Sequence, residues 1–302
     1  HHRPDRDELL CTVTDAVAQS FAWGQQLAAA LVARQEWTTA LWPRIVQGWQ
    51  RDLLSEEEWR KVLALPGRHP ELLKFSAPLA ELLETGSRRE AGGIPLSCLE
   101  PAEQAARGLW SALLRDLPPA VRPDDWQQKA ARHPAGKLAS FWLHDLARLR
   151  QAAGGTGKGL PLAQRAGLEE ILSASALAAR LGQAVLASRV HFLYSLDPAW
   201  TVAHLLPLFS WDASPERARL CWQEFLARGR WSEESLPVLL PCYVAAFPRL
   251  HQDLSEVKER FCRHLADIAV YHLGHPLRDG WLPAAPPRGR RRTAPRGGGR
   301  CW

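Results

Sequence analysis

The sequence predicts an all-α fold, an irregular, solenoid-like array of many short helices. Three observations predict this fold: apolar residues recur at helical spacing along the chain, no segment sustains the period-two alternation of strands, and Pro- and Gly-containing breakers separate the apolar stripes. Helices of roughly 10–15 residues joined by short turns are typical of such arrays. We find no fixed repeat period, so no standard repeat family is indicated.

Two segments of the first half carry clear helix signals. Ser55 and Glu58 form a capping-box pattern, because the serine hydroxyl can accept the N3 amide while the glutamate reaches back to the cap. The helix that follows has an apolar stripe of Trp59, Val62 and Leu63. A later stripe comprises Leu138, Phe141, Trp142, Leu146 and Leu149.

Helix starts in the second half are predicted at three polar residues. Asp197 and Ser214 each precede a proline, and a capping oxygen before Pro at the first helical position favours a helix N-terminus. Ser255 is expected to cap a third helix. The apolar stripes that follow are Ala218, Cys221, Trp222, Phe225 and Leu226, and then Val257, Phe261, Leu265 and Ile268.

Breakers divide the chain into three parts. The glycine-rich segment from Gly154 to Pro161 is the best internal boundary, and it separates helical subdomains at 1–153 and 162–275 that continue one array. Residues 276–302 are dominated by Pro, Gly and Arg and are expected to form a disordered basic tail.

The positive charge is concentrated in the tail. Residues 283–302 hold six arginines and no acidic residue, and removing them from the 38 basic residues leaves 32, which equals the 32 acidic residues. The body is therefore neutral and carries no sign of a nucleic-acid stripe. A tail that binds phosphates remains as the alternative to a disordered or artefactual segment.

Composition bounds the setting of the protein. Six cysteines are scattered without a C-x-x-C pair, no signal peptide is present, and no apolar run approaches the ~18 residues of a membrane span. We expect a reduced, cytoplasmic protein that does not enter the membrane. The chain has no methionine and begins at His1, so we expect it to be part of a longer protein.

A glycine-rich stretch superficially matches a phosphate-binding loop. The P-loop pattern requires a hydroxyl residue after the lysine, but Gly159 occupies that place and Ala152 replaces the first glycine. No strand pattern precedes the stretch either. An interhelical linker is the better interpretation.

Other chemical motifs are incomplete. Cys262 and His264 stand two residues apart on a predicted helix and point in different directions, so with His272 and His275 they do not form a zinc pattern. Ser255 to Lys258 matches the S-x-x-K of serine acyl-enzymes without its companion motifs. We therefore expect no catalytic, cofactor-binding or metal-binding residues in this chain.

The turn before the stripe at Leu138 is the strongest candidate for a specific contact. His133-Pro-Ala-Gly precedes a helix whose first turn contains Lys137, where a cation opposes the helix dipole. Such a local conflict indicates a compensating contact. His133, Lys137 and Trp142 are the candidate interaction residues, and a purely structural turn is the alternative. Trp residues in general are expected to pack between helices, with a few as interface anchors.

The segment from His133 to Leu143 resembles a signature of a helical domain of unknown function found in bacterial sirtuin-like proteins. Three further stretches are similar and stand in the same order, at 45–59, 69–73 and 196–211. The resemblance covers roughly residues 35–275, and none of its motifs is catalytic. The family is expected to have Asn before the His-Pro pair, where this chain has Arg132.

The resemblance implies a non-catalytic interaction or sensor region. It would lie downstream of a sirtuin-like, NAD-consuming domain in a larger bacterial protein and control that domain, in the setting of phage defence. Its partner would be the upstream domain or a protein trigger. The alternative is a helical scaffold that binds nucleic acid through its basic tail, and a stand-alone enzyme has no residue constellation to support it.

Overall fold

The computed structural model describes residues 5–115, 130–155 and 157–273. Every regular element within these ranges is helical, which confirms the predicted all-α fold class. The first half contains helices α1 (Arg6–Gln19), α2 (Phe21–Ala33), α3 (Leu41–Arg51), α4 (Glu56–Arg68), α5 (Ser76–Arg88) and α6 (Leu99–Arg115), with 3-10 turns at Pro70–Lys74 and Leu96–Cys98.

The second half continues with shorter helices. They are α7 (Pro134–Ala152), α8 (Leu162–Ser173), α9 (Leu177–Ala187), α10 (Val190–Leu196), α11 (Pro215–Arg228), α12 (Leu236–Ala246) and α13 (Lys258–Ile268). One helical turn at Pro198–Trp200, π-helical turns at Thr201–Leu205 and Ala269–Leu273, and 3-10 turns at Leu206–Phe209, Phe247–Arg249 and Ser255–Val257 complete the described elements.

The helices form two layers with a regular rule of packing. Each odd-numbered helix from α1 to α13 packs against the next odd-numbered one, which makes a continuous layer along the chain. Helices α4, α6 and α8 pack on one another in a second layer, and α8 also covers α7 and α9. Packing of helix i on helix i+2 is how stacked helical hairpins build a solenoid, although the hairpins here differ in length.

One hydrophobic core runs through the array from Val17 to Ile268. The predicted stripes of α4, α11 and α13 are buried at every position, and that of α7 is buried except at the half-buried Leu149. The Trp side chains predicted to pack between helices, Trp59, Trp142 and Trp222, are all buried. Helices from both sides of Gly154–Pro161 pack on each other, so the core crosses the boundary that we predict there.

Three of the four predicted helix starts are confirmed. Ser55 and Glu58 form a complete capping box, and the Asp197 carboxylate accepts the Trp200 amide at 3.0 Å. Ser214 is the N-cap residue of α11 with Pro215 at the first helical position, although its hydroxyl makes no capping hydrogen bond. The cap predicted at Ser255 is wrong, because a 3-10 turn intervenes and α13 begins only at Lys258.

The glycine-rich segment after α7 is a loop between helices, as the linker interpretation predicts. Gly154, Gly155 and Gly159 have positive φ angles of 74°, 78° and 86°, a conformation that residues with a Cβ rarely adopt. The Gly159 amide donates to the Leu196 carbonyl at 2.7 Å and fixes the loop against α10.

Two further predictions concern the chain as a whole. Among the residues that the structure describes, no helix is long and apolar enough to cross a membrane. The basic tail at 276–302, with the nucleic-acid alternative that depends on it, lies outside the described residues.

Candidate functional site

His133 caps helix α7. Its backbone is extended, and its imidazole Nδ1 accepts the Ala135 amide at 3.2 Å. An accepting Nδ1 must be unprotonated, and burial lowers the pKa of His133, which favours this neutral form. Gly136 follows because a Cβ there would lie 1.7 Å from the Ala130 carbonyl oxygen. The His-Pro-Ala-Gly segment is therefore a tightly packed helix start.

Lys137 has the compensating contact that its place in the first turn predicts. Its ammonium group forms an ion pair with the Glu81 carboxylate of α5, and its side chain is only 14% exposed. The partner is a residue of this chain, and the ion pair joins two adjacent helices of the odd-numbered layer. The contact offsets the unfavourable position of the cation at the N-terminus of the helix.

Trp142 lies on a different face of α7 from Lys137. It is fully buried, and a Cβ at Gly167 of α8 would lie 2.7 Å from its indole Nε1. Phe141 contacts it edge-on with the ring centroids 5.9 Å apart. The structure thus brings His133 and Lys137 together at the start of α7 and places Trp142 in the core between layers.

A cavity of about 270 Å³ lies beside the Lys137 face of α7. We call it the basic cleft, and it is lined by Ala131, Ser140, Leu143, His144, Ala147, Val185, Ser188, Arg189, His191, Phe192, Glu224 and Arg228. These residues belong to α7, α9, α10 and α11 and to the segments that adjoin α7 and α9. Three consecutive odd-numbered helices and α10 therefore contribute to one concavity.

The basic cleft faces away from the second layer. Ser140, His144 and Ala147 share one face of α7, because residues three and four apart lie side by side on a helix. Trp142, two residues before His144, points to the opposite side and packs on α8. The cleft therefore lies on a face of α7 that does not pack on α8.

His144 is held in a defined tautomer. The Ser87 hydroxyl lies 2.8 Å from the Glu84 carbonyl oxygen, to which it donates, and 3.2 Å from His144 Nδ1. Because the hydroxyl proton is already donated, Nδ1 must carry the proton that Ser87 accepts, and the neutral ring keeps its lone pair on Nε2. Burial, with smaller effects of Arg189 and Arg88, lowers the pKa of His144 to about 4.

Arg189 is the exposed cation of the cleft, at the turn between α9 and α10. Within the described ranges it makes no ion pair and its guanidinium makes no hydrogen bond. It acts on both histidines, since burial first and Arg189 second lower the pKa of His191 as they do that of His144. His191 Nδ1 is buried without a hydrogen-bond partner among the described residues.

Glu224 is the buried acid of the cleft. It is 1% exposed, and its Oε2 lies 3.4 Å from Nε of Arg228, whose side chain is 48% exposed. The second oxygen, Oε1, has no hydrogen-bond partner among the described residues. Burial raises the pKa of Glu224, and Arg228 opposes that rise. Leaving a buried carboxylate oxygen without a hydrogen-bond partner costs about 1–3 kcal/mol.

The arrangement is chemically suited to binding rather than to covalent catalysis. Arginine stays charged at any physiological pH, both imidazoles are held neutral, and Glu224 has one arginine beside it, so the cleft is net positive. The hydroxyl beside His144, that of Ser87, is buried and donates to a carbonyl, so His144 does not activate it as a nucleophile.

The histidines and cysteines near the C-terminus have structural contacts. His264 Nδ1 lies 2.7 Å from the Tyr243 hydroxyl, and His272 contacts the Trp231 ring edge-on at 4.8 Å. Cys262 is exposed, and His275 lies outside the described residues. No group of three or more metal-ligating side chains occurs in the part of the chain that the structure describes.

Sequence reasoning does not identify the residues of the cleft. Lys137 is two helical turns from His144 on the same face of α7, but it does not line the cleft and pairs with Glu81 instead. His144, Arg189, His191 and Glu224 carry no motif, since they come from separate helices. The only signal was a second, polar face on α7 opposite its apolar stripe.

No family model matches the chain, and neither a curated protein nor a solved structure matches it. The function is therefore argued from the residues of this chain.

Proposed function

We propose that this chain is a non-catalytic sensor region of a larger bacterial protein. In this proposal it controls a sirtuin-like, NAD-consuming domain of the same protein and takes part in phage defence. The observation that supports a sensing role is the basic cleft, where a buried carboxylate oxygen and a buried imidazole nitrogen have no partner among the described residues. The sirtuin-like domain and the defence setting rest on the resemblance of residues 35–275.

The position of the cleft supports a sensor in particular. Helices α7, α9 and α11 are consecutive members of the odd-numbered layer, and each of them contributes residues to the cleft. A ligand that contacts all three would fix their relative positions. In a solenoid, a small change between neighbouring helices propagates along the array to whatever is attached to it.

The proposal gives this chain no catalytic role because of the chemistry of the cleft. Its imidazoles are neutral, and the Ser87 hydroxyl beside His144 is committed to a carbonyl oxygen. Its arginines can hold an anion but cannot transfer a proton at neutral pH. NAD cleavage is therefore assigned to the other domain of the proposed protein.

The proposal is tested by measuring nicotinamide release from NAD⁺. The chain of residues 1–302 is expected to release none, whereas the complete protein encoded at its locus is expected to consume NAD⁺ when triggered. Arg189→Gln in the complete protein should change the response to the trigger, and the exposed Arg260→Gln of α13 should not. Release of nicotinamide by residues 1–302 alone would contradict the proposal.

A further inference from the structure

We infer that the basic cleft binds a small organic phosphate that carries a hydrogen-bond donor such as an amino group. The phosphate would contact Arg189 and the exposed part of Arg228, and the donor would satisfy Oε1 of Glu224. This inference rests on the proposed sensing role and names the class of ligand that is sensed.

The cationic side of the cleft supports an anionic ligand. Arg189 makes no ion pair within the described residues, and Arg228 is shared with Glu224 but stays 48% exposed. Two further arginines, Arg88 and Arg230, act electrostatically on His144 and His191 respectively. An anion in the cleft would therefore be attracted from several sides, by charges that solvent only partly screens.

The separate positions of the two arginines favour phosphate over carboxylate. Arg189 comes from the turn after α9 and Arg228 from α11, so two cations from different elements line one cavity. A phosphate monoester has three non-bridging oxygens that can accept hydrogen bonds in different directions, whereas a carboxylate has two in one plane. Arginine is the preferred partner of such an anion.

Glu224 favours a ligand that has a hydrogen-bond donor beside the phosphate. Its side chain is 1% exposed and its free oxygen is buried, so no bulk solvent satisfies it. A ligand that is only an anion would leave this oxygen unpaired or repel it. An ammonium or amide N–H close to the phosphate would complete both halves of the site.

The size of the cleft limits the ligand. Pockets for drug-sized molecules and cofactors are about 300–1,000 Å³, and this one is about 270 Å³. Its apolar wall, formed by Leu143, Val185 and Phe192, can cover a short carbon chain. The ligand is thus a small metabolite rather than an intact dinucleotide.

The test is isothermal titration calorimetry on the full chain at pH 7 with three matched probes. Phosphoethanolamine has both groups, ethyl phosphate lacks the amine, and ethanolamine lacks the phosphate. We expect phosphoethanolamine to bind about tenfold more tightly than ethyl phosphate, and ethanolamine not to bind. No binding of either phosphate, or equal binding of the two, would overturn the inference.

Single substitutions show which residues contact the bound ligand. Arg189→Gln is expected to weaken both phosphates about tenfold, and Glu224→Gln to remove the advantage of phosphoethanolamine while ethyl phosphate still binds. Arg260 of α13 does not line the cleft, so Arg260→Gln is the control. This variant is expected to bind both phosphates as tightly as the wild type does. Circular dichroism and urea denaturation confirm that each variant is folded.

Binding that survives Arg189→Gln would place the phosphate elsewhere and overturn the inference. The result is independent of the sensing proposal, because the titration contains no NAD⁺ and no second domain. If this chain binds the phosphates and also releases nicotinamide, only the non-catalytic role is refuted. If the phosphates do not bind but the complete protein consumes NAD⁺ in response to its trigger, only the proposed class of ligand is refuted.

Discussion

Gly167 leaves room for Trp142, the tryptophan of α7. A Cβ at Gly167 would lie 2.7 Å from both Nε1 and Cε2 of Trp142, closer than side-chain atoms approach one another. Trp142 is fully buried and has no space to withdraw. The close approach of α8 to α7 thus depends on the missing side chain.

Gly167→Ala is expected to lower the free energy of unfolding by about 1–3 kcal/mol, because the core must shift to admit a methyl group. Gly108→Ala in α6 is the matched control, since its Cβ would be 3.5 Å from the nearest side-chain atom. It should stabilise the protein by about 0.5–1 kcal/mol through helix propensity. Urea denaturation of both variants makes the comparison, and equal losses would contradict the packing account.

Asp145 is a fully buried acid outside the cleft. Neither carboxyl oxygen has a hydrogen-bond partner among the described residues, and the nearest cation, Nη1 of Arg148, is 3.6 Å from Oδ1. Burial raises the pKa of Asp145 from 3.8 to about 8, Arg148 opposes the rise and Glu103 adds to it. The folded protein therefore keeps a proton at neutral pH that the unfolded chain releases.

This proton makes stability depend on pH in a defined direction. The contribution of Asp145 is fully present below about pH 4 and is lost as pH rises through about 8, since folding must then bind a proton or bury a charge. Asp145→Asn keeps a neutral side chain, so its stability relative to wild type should increase from pH 5 to pH 9, by about 1–3 kcal/mol. Urea denaturation at both pH values measures this, and an unchanged difference would show that Asp145 is ionised when folded.

At the residue scale, the sequence predicts those contacts that need only residues close together in the chain. The capping box of Ser55 and Glu58 needs only residues three apart, and it forms as expected. Ser255 is followed three residues later by Lys258 instead of a glutamate, so it cannot form a capping box, and a 3-10 turn over Ser255–Val257 takes the place of the cap. The S-x-x-K spacing therefore does not predict a cap as the S-x-x-E spacing does.

At the scale of helices, the ion pair of Lys137 and Glu81 joins α7 to α5. The two side chains are 14% and 38% exposed, so solvent screens the pair less than it does a surface pair. A double-mutant cycle with Lys137→Ala and Glu81→Ala should give a coupling energy of about 1 kcal/mol. The exposed pair of Lys61 and Glu57 within α4 is the control, and its coupling energy should be smaller because solvent screens it more fully. A coupling no larger than the control would show that the pair does not hold the helices together.

Helices could be predicted from the sequence because their stripes are local, but the cleft could not. Each stripe repeats within about ten residues, and burial of the α11 stripe follows from that repeat. Glu224 stands outside the stripe and is still buried, because α9 and α13 cover α11 from two sides. That arrangement depends on contacts between segments about 35 residues apart, which no local pattern encodes.

At the scale of the molecule, the layered order of helices explains where binding can occur. Helix α8 of the second layer covers one side of α7 and α9, and the cleft lies on another side of α7. The sequence predicts a solenoid-like array from the number and length of its helices. The packing of each odd-numbered helix on the next follows from the lengths of the intervening helices and turns, and these show no repeat from which the order could be read.

The most direct test of the account compares two buried polar side chains. Gln183 of α9 is structural, because its amide nitrogen donates to the carbonyl oxygens of Ile171, Leu172 and Ala174 at 2.9–3.2 Å, although its Oε1 has no partner among the described residues. Glu224 of the cleft has an arginine Nε 3.4 Å from Oε2 and no partner at Oε1 among the described residues, and the account assigns it to ligand binding. A residue kept for binding is retained at a cost to stability, whereas a structural one is not.

The measurement is the free energy of unfolding of Glu224→Leu and Gln183→Leu by urea denaturation. Gln183→Leu should lose about 1–3 kcal/mol, because the carbonyl oxygens lose their donor. Glu224→Leu should be as stable as the wild type or more stable, since a leucine replaces a poorly satisfied buried carboxylate and leaves Arg228 hydrated. A loss at Glu224 as large as that at Gln183 would contradict the account, because the cleft would then be part of the folding core rather than a binding site.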